Sequence, residues 1–300
     1  MSTSQTKTES QKNIKVLIMS VGKYNTNSTA QYFNRIGGKV HCVVCLPKQY
    51  ETNATSYQEQ GFETFTYDEQ KYINDNFEYF GFKKRNCGGV GRQGIAEAVE
   101  KYGSDSICFQ VDDDYSSFSV CNDKGRQITI RHFEYLELFI RLFDDFYTQT
   151  HIEVAGRTGA TPPDFKNKGV LSNHKIFNNF IMRKGNQLNF NGFAALCSDD
   201  VRYNIYNNLL NCTPMFSHNY FMMNFRQNQG DRRDGNAPLY NSDCSWKKAF
   251  CLKMIFPVIT KLYISKEENR VLFREHIEPS KIFPPIFLEE NGKLVARLKF

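Results

Sequence analysis

The chain is 300 residues long, 40% hydrophobic and 23% charged, with a formal net charge of +6. That length suits one large or two small domains with ample chain for a buried core. No apolar run approaches the roughly 20 residues that a bilayer-spanning helix needs, and the modest positive balance permits a polyanionic partner without requiring one.

Residues 1–13 are rich in Ser, Thr, Gln and Lys, too polar to pack, and are expected to form a disordered tail without the apolar core of a signal peptide. A cytoplasmic protein is therefore expected. Nine cysteines, an odd number scattered from Cys42 to Cys251, fit free thiols in a reducing compartment. Cys42 and Cys45 have CxxC spacing, but they stand inside an apolar run with no second pair, so core packing is favoured over zinc or redox chemistry.

Residues 14–20, mostly apolar, have the pattern of a buried parallel strand. Gly22 and Lys23 follow, and Ser28 is placed to cap a helix with Ala30, Phe33 and Ile36 on one face, ended by Gly37-Gly38. Residues 40–46 form a second strand closed by Pro47, residues 49–60 a helix, and residues 62–67 a third strand. This alternation predicts an α/β fold with a mostly parallel sheet and a Rossmann-type nucleotide-binding half. The segment Asn86-Cys-Gly-Gly-Val-Gly-Arg-Gln-Gly-Ile95 carries glycines that let a backbone approach a phosphate, and it runs into a helix ending at Gly103. Arg92 is expected at that helix's positive N-terminus. Neither a dinucleotide fingerprint after the first strand nor a GxxxxGK[ST] loop is present, which argues against nicotinamide, flavin and P-loop chemistry.

Residues 106–115, Ser-Ile-Cys-Phe-Gln-Val-Asp-Asp-Asp-Tyr, form an apolar strand ending in three consecutive carboxylates, Asp112, Asp113 and Asp114. Like charges this close repel and raise one another's pKa, and a hard cation such as Mg²⁺ or Mn²⁺ relieves the strain with oxygen ligands. In open α/β sheets, ligands bind at the carboxyl ends of the strands. An isolated acidic triplet is equally compatible with a helix-capping or solvated turn.

Residues 128–147 carry Phe133, Leu136, Ile140, Phe143 and Tyr147 at helical spacing. The pattern then turns to short strands and loops, giving a nucleotide-binding half over 14–150 and a mixed α+β acceptor half over 151–300, within one compact unit. In the second half, Ser198 or Asp199 caps a helix running to Leu210. Residues 213–225 form a strand containing His218, and residues 228–236 have the profile of a mobile loop.

The order of these parts resembles a nucleotide-sugar-dependent glycosyltransferase of the GT-A type. Within that group it is similar to the TET-associated glycosyltransferase family of phages and kinetoplastids, which decorates hydroxymethylated DNA bases. The likeness rests on Gly91-Arg92-Gln93 opening a helix, on Phe109-Gln-Val-Asp-Asp-Asp-Tyr-Ser-Ser-Phe118 with its apolar-then-DDD-then-Phe order, and on Asp199-Asp200 standing where the family has Glu-Asp. Two departures stand out: Asp199 replaces the glutamate, and Asp231-Arg232-Arg233-Asp234 replaces a plainer glycine run.

The resemblance implies that Asp114 holds the metal directly, that Asp112 shares it or contacts the ribose, and that Asp113 supports one of them. It also implies that Arg92 binds the diphosphate or nucleobase, with Ser20 and Lys23 completing the donor-contacting set. His218 is a candidate third metal ligand, and a hydrogen-bonded strand histidine is the alternative; His276 is a weaker candidate. Asp200 is the expected base toward the acceptor hydroxyl, Asp199 its neighbour and Asp243 a reserve. The implied cofactor is Mn²⁺ or Mg²⁺ and the implied donor a UDP-sugar. The implied acceptor is a 5-hydroxymethylpyrimidine in DNA, 5-hydroxymethylcytosine first, in host cytoplasm if the chain is phage-encoded. The basic clusters Lys83-Lys84-Arg85, Arg232-Arg233 and Lys247-Lys248 suit a phosphate backbone. Alternatives are a glycan or protein hydroxyl as acceptor, a non-catalytic nucleotide- or DNA-binding module, and a two-metal phosphotransferase or nuclease.

Overall fold

The computed structural model describes residues 12–72, 88–122, 124, 126–158, 171–172, 179–184, 215–225, 250, 253, 257–258, 260–267, 270–277, 287–290 and 293–296. The first sheet has five strands in the order β3-β2-β1-β4-β9. These are β1 (Asn13–Met19), β2 (Cys42–Pro47), β3 (Glu63–Tyr67), β4 (Ser106–Asp112) and β9 (Phe180–Met182). The first four run parallel, and β9 joins antiparallel to β4. Both faces are covered, which is why Val16, Leu17 and Ile18 are successive apolar residues with no exposed surface. The expected α/β class with a mostly parallel sheet is present.

Alternation of side chains divides the core into two layers. Ile14, Val16 and Ile18 pack with Ala30 and Phe33 of α1 (Ser28–Arg35) and with Phe133, Leu136 and Ile140 of α4 (Phe133–Thr150). On the other face, Leu17, Val43 and Cys45 pack with Val90, Ile95 and Val99 of α3 (Gly88–Tyr102). Cys42 falls in the first layer and Cys45 in the second, so the CxxC pair points to opposite sides of the sheet. Both are free, buried core residues.

The second sheet has the order β6-β5-β10-β7 and comprises β5 (Tyr115–Cys121), β6 (Gln127–Thr129), β7 (Glu153–Thr158) and β10 (Met215–Phe225). β7 runs parallel to β10; β5 is antiparallel to both β10 and β6. β8 (Leu171–Ser172) also pairs with β10. Strands from beyond residue 151 therefore enter both sheets. Two hairpins, β11 (Thr260–Glu267) with β12 (Arg270–Ile277) and β13 (Phe287–Glu290) with β14 (Lys293–Ala296), complete the described elements.

Several expected boundaries shift for local reasons. Asn27, not Ser28, caps α1, its side-chain oxygen accepting from the Ala30 amide at 2.7 Å. A 3-10 turn over Lys48–Asn53 precedes the short α2 (Ala54–Gln58), splitting the helix expected over 49–60. The segment expected as one helix over 128–147 begins with the edge strand β6, and the helix starts at Phe133. The helix expected from Ser198 to Leu210 lies outside the described residues.

Candidate functional site

In the first sheet the chain leaves β1 toward β2 on one side while β4 lies on the other, so a crevice opens where β1 and β4 end together. The register sets Met19 opposite Asp112. Ser20 and the acidic turn are consequently neighbours despite their separation in sequence. β4 ends at Asp112, Asp113 and Asp114 form a tight turn, and β5 begins at Tyr115 in the second sheet. The carboxylates thus sit at the corner where the chain passes from one sheet to the other.

That corner is pinned by α1. The Thr29 amide donates to the Asp113 carbonyl at 3.2 Å, and the Thr29 hydroxyl donates to the Asp112 carbonyl at 2.7 Å. The same hydroxyl oxygen accepts from the Tyr115 amide at 2.9 Å. One buried threonine therefore satisfies three backbone groups at the corner where the two ladders end.

The three carboxylates have different neighbours. Asp113 accepts from the Ser20 hydroxyl at 2.7 Å. Burial raises its pKa from the usual value, and the Ser20 hydrogen bond partly offsets that. Asp112 faces Arg92, whose Nη2 lies 3.5 Å from Oδ1, and the Gln110 amide at 3.4 Å. Arg92 is only 2% exposed, and its guanidinium also lies 5.7 Å from the Phe180 ring centre. A fixed, buried cation is thereby held beside the first acid of the turn. Lys23 is exposed on the loop after β1. The structure thus sets Ser20 against Asp113 and Arg92 against Asp112, with Asp114 next in the same turn.

Other expected candidates stand elsewhere. β10 runs antiparallel to β5 with Phe225 opposite Tyr115. His218 is thus on the order of 15–20 Å along the strand from the acidic turn. Its ring packs 5.7 Å from Phe143 and 6.2 Å from Phe139, and burial lowers its pKa to about 4. Its Nδ1 is buried with no hydrogen-bond partner among the described residues. The alternative, a hydrogen-bonded histidine in a semi-buried strand, agrees with this placement in burial but not in bonding, because Nδ1 finds no partner among the described residues; the strand carries the ring away from the acidic turn. The side chain of His276 lies outside the described residues, as do Asp199, Asp200, Asp243 and the basic clusters.

Arg92 also differs from expectation. α3 begins at Gly88, so Arg92 lies inside the helix rather than at its N-terminus. Gly91 and Gly94 are not a phosphate loop: a Cβ at Gly91 would meet the Met19 side chain, and one at Gly94 the Tyr67 ring. These glycines let α3 settle close enough to the sheet for Arg92 to reach Asp112.

Sequence reasoning gave no role to Asn27, Thr29, Tyr57 or Gln110. The polar triplet Asn27-Ser28-Thr29 ahead of an apolar helix was the available signal for a cap; nothing local marks Tyr57.

Asp112 and Asp114 supply the hard carboxylate oxygens that Mg²⁺ or Mn²⁺ prefers. Magnesium is ordinarily held by one or two carboxylates, with substrate phosphates and water filling its octahedron. Among the described residues no group of three or more His, Cys, Asp or Glu side chains forms a metal cage. Two carboxylates of this kind fit a cation whose remaining positions are taken by phosphate oxygens and water. An open groove of about 630 Å³ lies between β6 and α4, lined by Arg126, Ile128, Arg131, His132, Tyr135 and Leu138. None of its lining residues belongs to the acidic turn, and nothing in the structure shows what covers it.

No family model and no curated protein matches the sequence. Among solved structures, a mycobacterial protein is similar at TM-score 0.48 and 10% identity, covering 89% of this chain and 84% of that one. Glucosyl-3-phosphoglycerate synthase from Mycobacterium tuberculosis, in complex with Mg²⁺ and UDP, is similar at TM-score 0.46 and 10% identity, covering 89% and 88%. The same enzyme with Mn²⁺, UDP-glucose and glycerol 3-phosphate gives 0.45 and 11%, covering 89% and 87%. At such scores and identities the likeness carries no functional assignment.

Proposed function

We propose that the chain is a metal-dependent glycosyltransferase that takes a sugar from a nucleoside-diphosphate donor, UDP-sugar first, and passes it to an acceptor hydroxyl. The observation that carries this reading is the convergence of the Asp112–Asp114 turn, the Ser20 loop and the buried Arg92 at the shared ends of β1 and β4.

Asp112 and Asp114 are the residues that would hold Mg²⁺ or Mn²⁺, which when bound supplies positive charge to the departing diphosphate. Arg92 adds a second positive charge that is already in place, so little reorganisation accompanies bond cleavage. Asp113, bonded to Ser20, holds the turn in shape. Lys23, exposed beside the crevice, is free to meet a phosphate or the ribose. On the acceptor side, Asp200 is assigned as the base that takes the hydroxyl proton, with Asp199 beside it. Such a base contributes roughly 10²–10⁴-fold.

For the acceptor we favour the hydroxyl of 5-hydroxymethylcytosine in duplex DNA. The sequence likeness around Asp112–Asp114 supports this, as do the three basic clusters and the net charge of +6. The test is mass spectrometry of hydroxymethylcytosine DNA, and separately of a glycan panel, after incubation with a set of nucleotide sugars and Mn²⁺. A mass increase of one sugar on the DNA supports the full reading. Transfer only to glycans retains the enzyme and replaces its acceptor, and no transfer at all removes the assignment.

A further inference from the structure

Tyr57 lies in α2, outside the acidic turn, yet its hydroxyl sits at the centre of the contacts that shape the loop after β1. It donates to the Gly22 carbonyl at 2.9 Å, accepts from the Asn27 side-chain amide at 3.1 Å, and lies 3.2 Å from the Ser20 hydroxyl oxygen. Ser20 in turn donates to Asp113 at 2.7 Å and accepts from the Gly22 amide at 3.2 Å. Asn27 donates to Tyr57, Tyr57 donates to the Gly22 carbonyl and Ser20 donates to the Asp113 carboxylate, while between the Tyr57 and Ser20 hydroxyls either oxygen can be the donor.

Tyr57 has no exposed surface, and its ring packs against Tyr24 at 6.1 Å and Phe62 at 6.4 Å. The hydroxyl is thus delivered by a rigid aromatic body rather than by a flexible chain. Asn27 performs two tasks: its side-chain oxygen caps α1 while its amide engages Tyr57. The helix that pins the backbone of the acidic turn and the loop that holds its central carboxylate are therefore tied at one hydroxyl.

We propose that Tyr57 is a positioning residue for the donor site. Through Ser20 it holds Asp113 in place and fixes the residue 20–23 loop, leaving Asp112 and Asp114 for a divalent cation and its diphosphate. This rests on the reading of the acidic turn as a cation–diphosphate site. Removing the hydroxyl alone keeps the aromatic packing, so the loss falls on the alignment of the loop and turn.

The experiment is a double-mutant cycle on Mn²⁺–UDP binding by calorimetry, with wild type, Tyr57→Phe, Ser20→Ala and the double variant, each checked by thermal melting. Wild type is expected to bind. Each single variant should lose about tenfold in affinity, the equivalent of one hydrogen bond to a charged group. The double variant should lose no more than about the larger single loss, because both act on one chain of contacts. A Tyr57→Phe variant that melts lower but binds Mn²⁺–UDP as tightly as wild type makes Tyr57 merely structural and overturns the proposal, as do additive losses. If wild type itself does not bind Mn²⁺–UDP, the donor-site reading fails and the positioning role falls with it.

Discussion

Asp114→Asn keeps the size of the side chain and removes its charge. If Asp114 is a cation ligand, transfer should fall on the order of 10²–10³-fold, and the Mn²⁺ concentration needed for half-maximal rate should rise while the melting temperature stays near wild type. A normal Mn²⁺ titration would place the ligand elsewhere. Glu153 tests a different residue-scale claim. Arg183 donates from Nε to Glu153 at 2.7 Å, also pairs with Asp144, and lies 3.7 Å from the Tyr147 ring centre. Burial outweighs this shared arginine and pushes the Glu153 carboxyl from 4.5 up to about 7. The folded chain then keeps a proton that the unfolded chain has released between those values. Stability should fall as pH rises from about 4.5 to about 7, and Glu153→Gln should lose less across that interval in urea unfolding. An unchanged pH profile in the variant would contradict it.

At the scale of elements, α3 owes its depth to its glycines. Gly94→Ala gains about 1 kcal/mol of helix propensity, but the added methyl runs into the Tyr67 ring, and overpacking costs about 1–3 kcal/mol. Net destabilisation is expected in chemical denaturation. Gly91→Ala should cost less, because it meets the flexible end of Met19. The strands were legible in the sequence because a parallel strand buried on both faces must be a continuous apolar run, as in Val16-Leu17-Ile18. The role of the glycine segment was not, since the same residues serve close helix–sheet packing and phosphate cradles equally well. Nor could periodicity separate β6 from the start of α4: Ile128 and Ile130 continue the apolar spacing of the helix that follows.

At the scale of the molecule, the two sheets meet at the acidic turn, and β9 and β10 tie later parts of the chain to β4 and β5. The triplet itself was legible because three adjacent carboxylates after an apolar run are chemically conspicuous. The contacts that hold it were not: Ser20 reaches Asp113 across 93 positions and Tyr57 across 37, distances over which no local pattern operates. His218 has the right residue type, but β10 carries it away from the turn. If DNA is the acceptor, its affinity should drop steeply with salt, on the order of 10³-fold or more between about 50 and 200 mM for six or more phosphate contacts. Affinity indifferent to salt would count against that acceptor while leaving the donor site untouched. The donor site is tested most directly by anomalous diffraction from crystals grown with Mn²⁺ and UDP. The account predicts a manganese peak at roughly the 2.0–2.3 Å coordination distance of oxygen ligands from Asp112 or Asp114, with the diphosphate completing its shell. A peak at His218 instead, or UDP bound away from the ends of β1 and β4, would contradict it.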